Sequence, residues 1–214
     1  LVLFSTLRFI ALGWIDSQYI ASSYKFTYYG FEWLPVNNDF LIYSTFGILL
    51  ISSAAFTVGF FYRLSSFLLF ISFTYIELLD KTYYLNHYYF VSLFSFLMMF
   101  IPANVKHSVD SIINPNIKRE SLPRIYRDVL IFQISLVYIF AGIAKINYDW
   151  LILGMPLKIW LPANSSLPII GNVLSYNTTA YIFSWFGMIY DLTIPFFLLY
   201  GKSRLIGFVA VVIF

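Results

Sequence analysis

The 214-residue chain is 60% hydrophobic and 22% aromatic, with only 11% charged residues, against about 25% in an ordinary soluble domain; the balance is that of an integral membrane protein whose partner is the lipid bilayer. Its net charge of +3 comes from basic residues scattered among connections, not gathered in a dense run with interleaved aromatics, so nucleic acid is not an expected partner. The absence of cysteine excludes disulfides, thiol catalysis and cysteine-ligated metals.

Apolar windows suited to crossing about 30 Å of hydrocarbon as helices recur along the chain, without the short alternating segments of a barrel. They predict an all-α integral membrane protein, a multi-helix transmembrane bundle of about seven spans. A single transmembrane domain over residues 1–214 is expected, truncated at both ends because the chain starts and stops inside apolar runs, with a C-terminal extramembrane domain absent.

The first expected span covers residues 1–20 and carries Arg8 and Asp16, read as a snorkelling arginine and a boundary aspartate. A connection at 22–39, rich in Tyr and Trp, suits the membrane interface. Spans at 40–62 and 67–79, joined through Ser65-Ser66, are expected to be antiparallel neighbours. The sequence L-L-D-K-T-Y-Y-L-N-H-Y-Y-F follows, then a fourth span at 88–101 stopped by Pro102. Residues 103–127 form the longest polar connection. A fifth span at 128–146 runs into Y-I-F-A-G-I-A-K-I-N-Y-D-W, and Gly154, Pro156, Pro162, Pro168 and Gly171 break residues 151–177 into a re-entrant or interfacial region. A sixth span at 178–200 holds Asp191 and Pro195, and a seventh opens after Arg204.

Placing connections on alternate sides puts Arg63, Lys106, Lys118, Arg119, Arg124, Arg127, Lys202 and Arg204 together, eight in all; Lys25, Lys81 and Lys158 lie opposite, or four residues with Lys145. The richer side is cytoplasmic by the positive-inside rule. The 80–87 turn and the stretch from Lys145 to Trp160 then share the outer face, periplasmic or lumenal. Two acceptor patterns for glycosylation, at Asn164 and Asn177, fall on that face but are too short to weigh much.

Lys145 has two readings. It pairs with Asp149 one turn on, or snorkels to water; or it sits desolvated among Ala141, Gly142 and Ala144 and acts as a neutral general base. Asn86 either caps the fourth helix or, with His87, presents hydrogen-bonding and proton-relay chemistry to a bound polar group. Asp80-Lys81 reads as a turn pair, and Asp191 faces a helix partner. With its two histidines on opposite sides by the charge count, the chain is not expected to hold a metal.

Together, L-L-D-K-T-x-x-x-N-H-x-Y (78–89) and Y-I-F-A-G-I-A-K-I-N-Y-D-W (138–150) resemble the membrane domain of vitamin K-dependent gamma-carboxylases, whose bacterial relatives are grouped as horizontally transferred transmembrane (HTTM) domain proteins. The likeness extends through Leu7-Arg8-Phe9, Gly59 to Ser65, Ala103-Asn104 and Ser108-Val109-Asp110. It implies that Lys145 is the catalytic base that deprotonates reduced vitamin K, the hydroquinone, while His87 assists at the quinone oxygen and the adjacent Asn86 orients. Oxygen then adds to the ring, and the strong base so formed removes a γ-proton from a glutamate in a protein or peptide. Carbon dioxide adds there, and the quinone leaves as an epoxide. The family's further spans and large extramembrane portion have no counterpart in these residues. The rival reading is a non-catalytic transporter, or a lipid- or quinone-binding protein of the same fold; a transporter would favour discontinuous midplane helices and internal repeats, and no repeat is evident.

Overall fold

The computed structural model describes residues 1–22 and 24–213. Regular structure among them is all helical: α1 (Val2–Ala11), α2 (Asp39–Val58), α3 (Tyr62–Leu79), α4 (Asn86–Met98), α5 (Val109–Ile113), α6 (Arg124–Ala144), α7 (Leu157–Ala163), α8 (Gly171–Leu174), α9 (Asn177–Leu199) and α10 (Arg204–Ile213), with short π and 3₁₀ turns between. Contacts group these elements into two compact units, Leu1–Pro123 and Arg124–Phe214.

Among the described residues, α2, α3, α6 and α9 are the helices long and apolar enough to cross a membrane. The other three expected spans differ. Residues 1–20 are not one helix, because Gly13 takes a left-handed φ of +65° that ends α1 before a π-helical turn at Ile15–Ile20. The 13 residues of α4 reach about 20 Å at 1.5 Å per residue, and α10 has ten. The boundaries of α3 and α6 also move: α3 starts at Tyr62, so Ser65 and Ser66 are helical rather than a link, and α6 starts at Arg124, so Arg124 and Arg127 occupy its first turn.

In the first unit, α2 and α3 form an antiparallel hairpin around Ile42, Phe46, Leu49, Leu69, Ile76 and Leu79, with Ile15 and Tyr19 packed on the same core. Lipid tails are as apolar as leucine, so close backbone approach rather than escape from water holds such a pair. The buried side chains accordingly include Ser52, Ser53, Ser65, Ser66 and Ser72. Each hydroxyl donates to a carbonyl three or four residues earlier in its own helix, which satisfies it without a partner across the interface.

The turn between α2 and α3 is fixed by a residue far along the chain. Asp110 accepts hydrogen bonds from the Phe61 N–H (2.8 Å), the Tyr62 N–H (2.9 Å) and Asn104 Nδ2 (2.8 Å), while its own N–H donates to the Gly59 carbonyl at 3.0 Å. It thus supplies the cap that Phe61, the N-cap residue at φ +42°, lacks. Gly59 is required twice over: its φ is +65°, and a Cβ there would lie 2.5 Å from Ser108 Cβ. Tyr62 Oη donates to the Met98 carbonyl at 2.8 Å and Arg63 to that of Met99, which ties the end of α4 to the same knot. Arg63 and the basic 103–119 segment therefore share one end of this unit. Asp80 stands at the other end, capping the next turn through Thr82 N–H at 2.9 Å, while the Lys81 N–H reaches the Phe26 carbonyl at 2.9 Å.

Partial burial pushes the Asp110 carboxyl up, but the hydrogen bonds from Tyr62, Asn104 and Phe61 outweigh it and hold the group below its usual 3.8. A depressed folded value means that the stabilisation is complete above the unfolded value and is lost as pH falls through the folded one. Asp110→Ala should cost about 1–3 kcal/mol at neutral pH, read as a lower melting temperature in detergent. The gap from the parent protein should close only in strong acid, below 3.8.

Candidate functional site

Asn86 and His87 open α4 in the first unit, both exposed. The N-cap is Leu85, with no side-chain cap bond, so Asn86 is not the cap but the first helical residue. The side chains of Asn86 and His87 have no protein hydrogen-bond partner among the described residues; the His87 ring lies edge-on to Tyr88, centroids 4.6 Å apart. Both polar groups at this end of the first unit are thus free to meet a bound molecule.

Lys145 belongs to the second unit and sits one residue past the end of α6. Asn147 accounts for the break there: its Nδ2 donates to the Ala144 carbonyl at 2.7 Å, closing α6, and its Oδ1 accepts from the Trp150 N–H at 2.8 Å, starting the π-helical turn Asp149–Leu153. This Asn role is local and polar, of the kind that competes with helix continuation.

The partner of Lys145 is Asp191 of α9, not Asp149. Lys145 Nζ forms an ion pair with Asp191 Oδ2, and the two side chains are 24% and 6% exposed. Of the ion pairs among the described residues, this one alone is largely buried. It follows from how closely α6 and α9 approach. A Cβ on Gly142 would fall 2.7 Å from the Leu192 side chain and 3.2 Å from its backbone nitrogen, so only glycine lets the helices come together one turn before Lys145. Local i, i+4 spacing suggests Asp149; tertiary packing brings Asp191, 46 residues away.

Aromatic groups surround the pair. Lys145 Nζ lies 5.4 Å from the Trp150 ring centre, and that indole is pinned by its Nε1–H donating to the Ser184 carbonyl at 2.7 Å. Tyr138 and Tyr190 meet edge-on, centroids 6.0 Å apart, beside the carboxylate on α9. Nearer the start of α9, Lys158 donates to Tyr181 Oη at 2.6 Å with Nζ 4.1 Å above that ring's centre. In sequence Lys158 is only an outer basic charge, and nothing in local spacing points to Tyr181.

The arrangement presents one amine, partly accessible on one side and backed by a buried carboxylate on the other. It can bind an acidic hydroxyl or anionic oxygen, and it can pass a proton along the line from ligand to Nζ to Asp191. Among the described residues, no cluster of His, Asp and Glu could hold a metal ion.

Removal of either partner leaves a charge behind, and the two cases are unequal. Lys145→Ala strands a nearly inaccessible carboxylate and should cost about 3 kcal/mol or more; Asp191→Ala strands a lysine that can still reach water and should cost less. The pair Lys145→Ala/Asp191→Ala should be less damaging than the sum of the singles, as a double-mutant cycle on melting temperature would read.

No solved structure matches the chain. The model of one family matches residues 1–214, the whole chain, and its description is the HTTM domain. With helices of membrane-crossing length and that match over its full extent, the chain belongs to the HTTM domain family.

Proposed function

We propose that this protein is a membrane-embedded enzyme of the vitamin K-dependent gamma-glutamyl carboxylase kind, coupling oxidation of a reduced quinone to carboxylation of glutamate in a protein or peptide. The observation that carries the reading is the ion pair of Asp191 with Lys145, the lysine of the Y-I-F-A-G-I-A-K-I-N-Y-D-W stretch on which the likeness to the carboxylases rests. A charge at this depth is expensive unless it is used or paired, and here the amine keeps an open side toward a ligand. Residues at Lys145 fit a quinone ring: an amine for the ring hydroxyl, a carboxylate behind it, and a fixed indole face 5.4 Å from Nζ for the apolar plane.

When bound, the reduced quinone supplies the oxygen-dependent strong base that removes the substrate's γ-proton and leaves as its epoxide. The chain's own part is narrower. Lys145 takes the hydroxyl proton, which requires a neutral amine, so the proton held within the Lys145–Asp191 pair must first rest on the carboxylate or leave. Asp191 is the positioning residue that aims Nζ and shares that proton. Trp150 covers the amine and limits hydration, since water at the site would quench a strong base. For the first unit by itself, the likeness to the carboxylases is the support for proposing His87 as a hydrogen-bonding group for a quinone oxygen, with Asn86 orienting beside it. The outer face, periplasmic or lumenal, is the proposed location, supported within the first unit by the position of Asn86-His87 at the end remote from Arg63 and the basic 103–119 segment.

A second reading, a quinone- or lipid-binding protein without catalysis, is favoured by the same ion pair, because a carboxylate stabilises the ammonium and binding alone needs no neutral amine. Epoxide formation by the purified protein supplied with reduced vitamin K, oxygen, bicarbonate and a glutamate peptide separates the two. Lys145→Arg keeps the charge and the pairing geometry but cannot serve as a base. It should retain the parent melting temperature and lose at least about 100-fold in rate. A Lys145→Arg protein with full activity, or an intact protein that forms no epoxide with any quinone offered, would withdraw the carboxylase reading.

A further inference from the structure

The first unit contains a second site that the chemistry above does not use. A cavity of about 440 Å³ is lined by Glu77, Thr74, Ser92 and a wall of rings that includes Tyr28, Phe70 and Tyr89. Glu77 lies in the last turn of a membrane-crossing helix, and among the described residues its carboxyl has neither an ion-pair nor a hydrogen-bond partner. The nearest cation in sequence, Lys81, is one turn on, but α3 ends at Leu79 and Lys81 Nζ is drawn to the Phe26 ring, 5.8 Å from its centre.

The hydroxyls of Thr74 and Ser92 are buried without partners. That is unusual for these helices, where Ser65, Ser66, Ser72 and Ser95 all return their hydroxyls to backbone carbonyls. One cavity is thus lined by a carboxyl group and by two residues whose hydroxyls are unpaired, under aromatic rings. Burying such groups unsatisfied is unfavourable, and rings facing a cavity favour a cation. Tyr89 at 55% and Tyr84 at 42% exposure form its rim, so a molecule in the membrane interface can enter.

We propose that this cavity binds a primary ammonium group, carried by a phospholipid headgroup or by a free amine. Three N–H donors match the Glu77 carboxyl, which a bound cation holds ionised, and the two hydroxyls once these turn toward the cavity; a quaternary ammonium would meet the carboxylate and the rings but leave both hydroxyls unpaired. The site stands independently of the quinone reading, since neither Lys145 nor His87 lines it.

The test is native mass spectrometry of the purified protein titrated with phosphatidylethanolamine, its N-trimethylated analogue phosphatidylcholine of the same chains, and ethanolamine as competitor. Phosphatidylethanolamine should bind saturably and at least about tenfold more tightly than phosphatidylcholine, with Glu77→Gln weakening it by a similar factor. Displacement by ethanolamine would place recognition in the ammonium alone, whereas its failure would assign the site to the lipid. Equal retention of the two lipids by the parent protein, a comparison that needs no variant, would overturn the proposal. So would undiminished binding by a folded Glu77→Gln protein.

Discussion

A lysine placed where hydrocarbon gives way to polar headgroups must either reach water or meet an anion, and in this protein Lys145 meets Asp191. That one requirement organises the second unit. Gly142 must be glycine so that α6 and α9 approach closely enough, and Asn147 must end α6 so that the lysine leaves the helix toward α9. Trp150 is then held over the amine by the backbone of Ser184. An ion pair largely withdrawn from water contributes little net stability relative to apolar packing, yet is severely destabilising when halved. In a protein with only 11% charged residues the pair is therefore no source of net stability, and the role proposed for the amine gives it another use.

The helical membrane class and the approximate positions of α2, α3, α6 and α9 were legible in the sequence, because length and apolar content decide whether a segment can cross lipid. The number of crossings was not. Residues 1–20 read as one apolar span, but a single left-handed glycine divides them. The stretch at 88–101 likewise passes on composition, although its helix has only 13 residues. The start of α3 was missed because its cap comes from Asp110, almost fifty residues away, and no local pattern announces a donor or acceptor that distant.

The candidate site shows the same division. Lys145, Asn86 and His87 could be singled out from residue type and motif, and Asp191 as a carboxylate facing a helix partner. That Asp191 rather than Asp149 answers Lys145 depends on the helix crossing at Gly142, which is a tertiary fact. Several stretches that carried the family likeness, Gly59 to Ser65, Asn104 and Ser108 to Asp110, turn out to be one physical object: a hydrogen-bonded knot closing the α2–α3 hairpin. Sequence resemblance weighs structural and chemical residues alike, and only the geometry separates this knot from the amine and its carboxylate.

The account rests on Lys145 and Asp191 acting as a pair whose orientation matters, and exchanging the two residues tests that most directly. A protein carrying Lys145→Asp together with Asp191→Lys keeps the ion pair while moving the amine to the far side of it. The account predicts a melting temperature restored relative to either single change, with quinone oxidation still absent, because displacement of a reacting group by even about 1 Å costs on the order of 100-fold. Oxidation at the parent rate by the exchanged protein would contradict the role given to Lys145, and a melting temperature no better than the singles would contradict the role given to the pair.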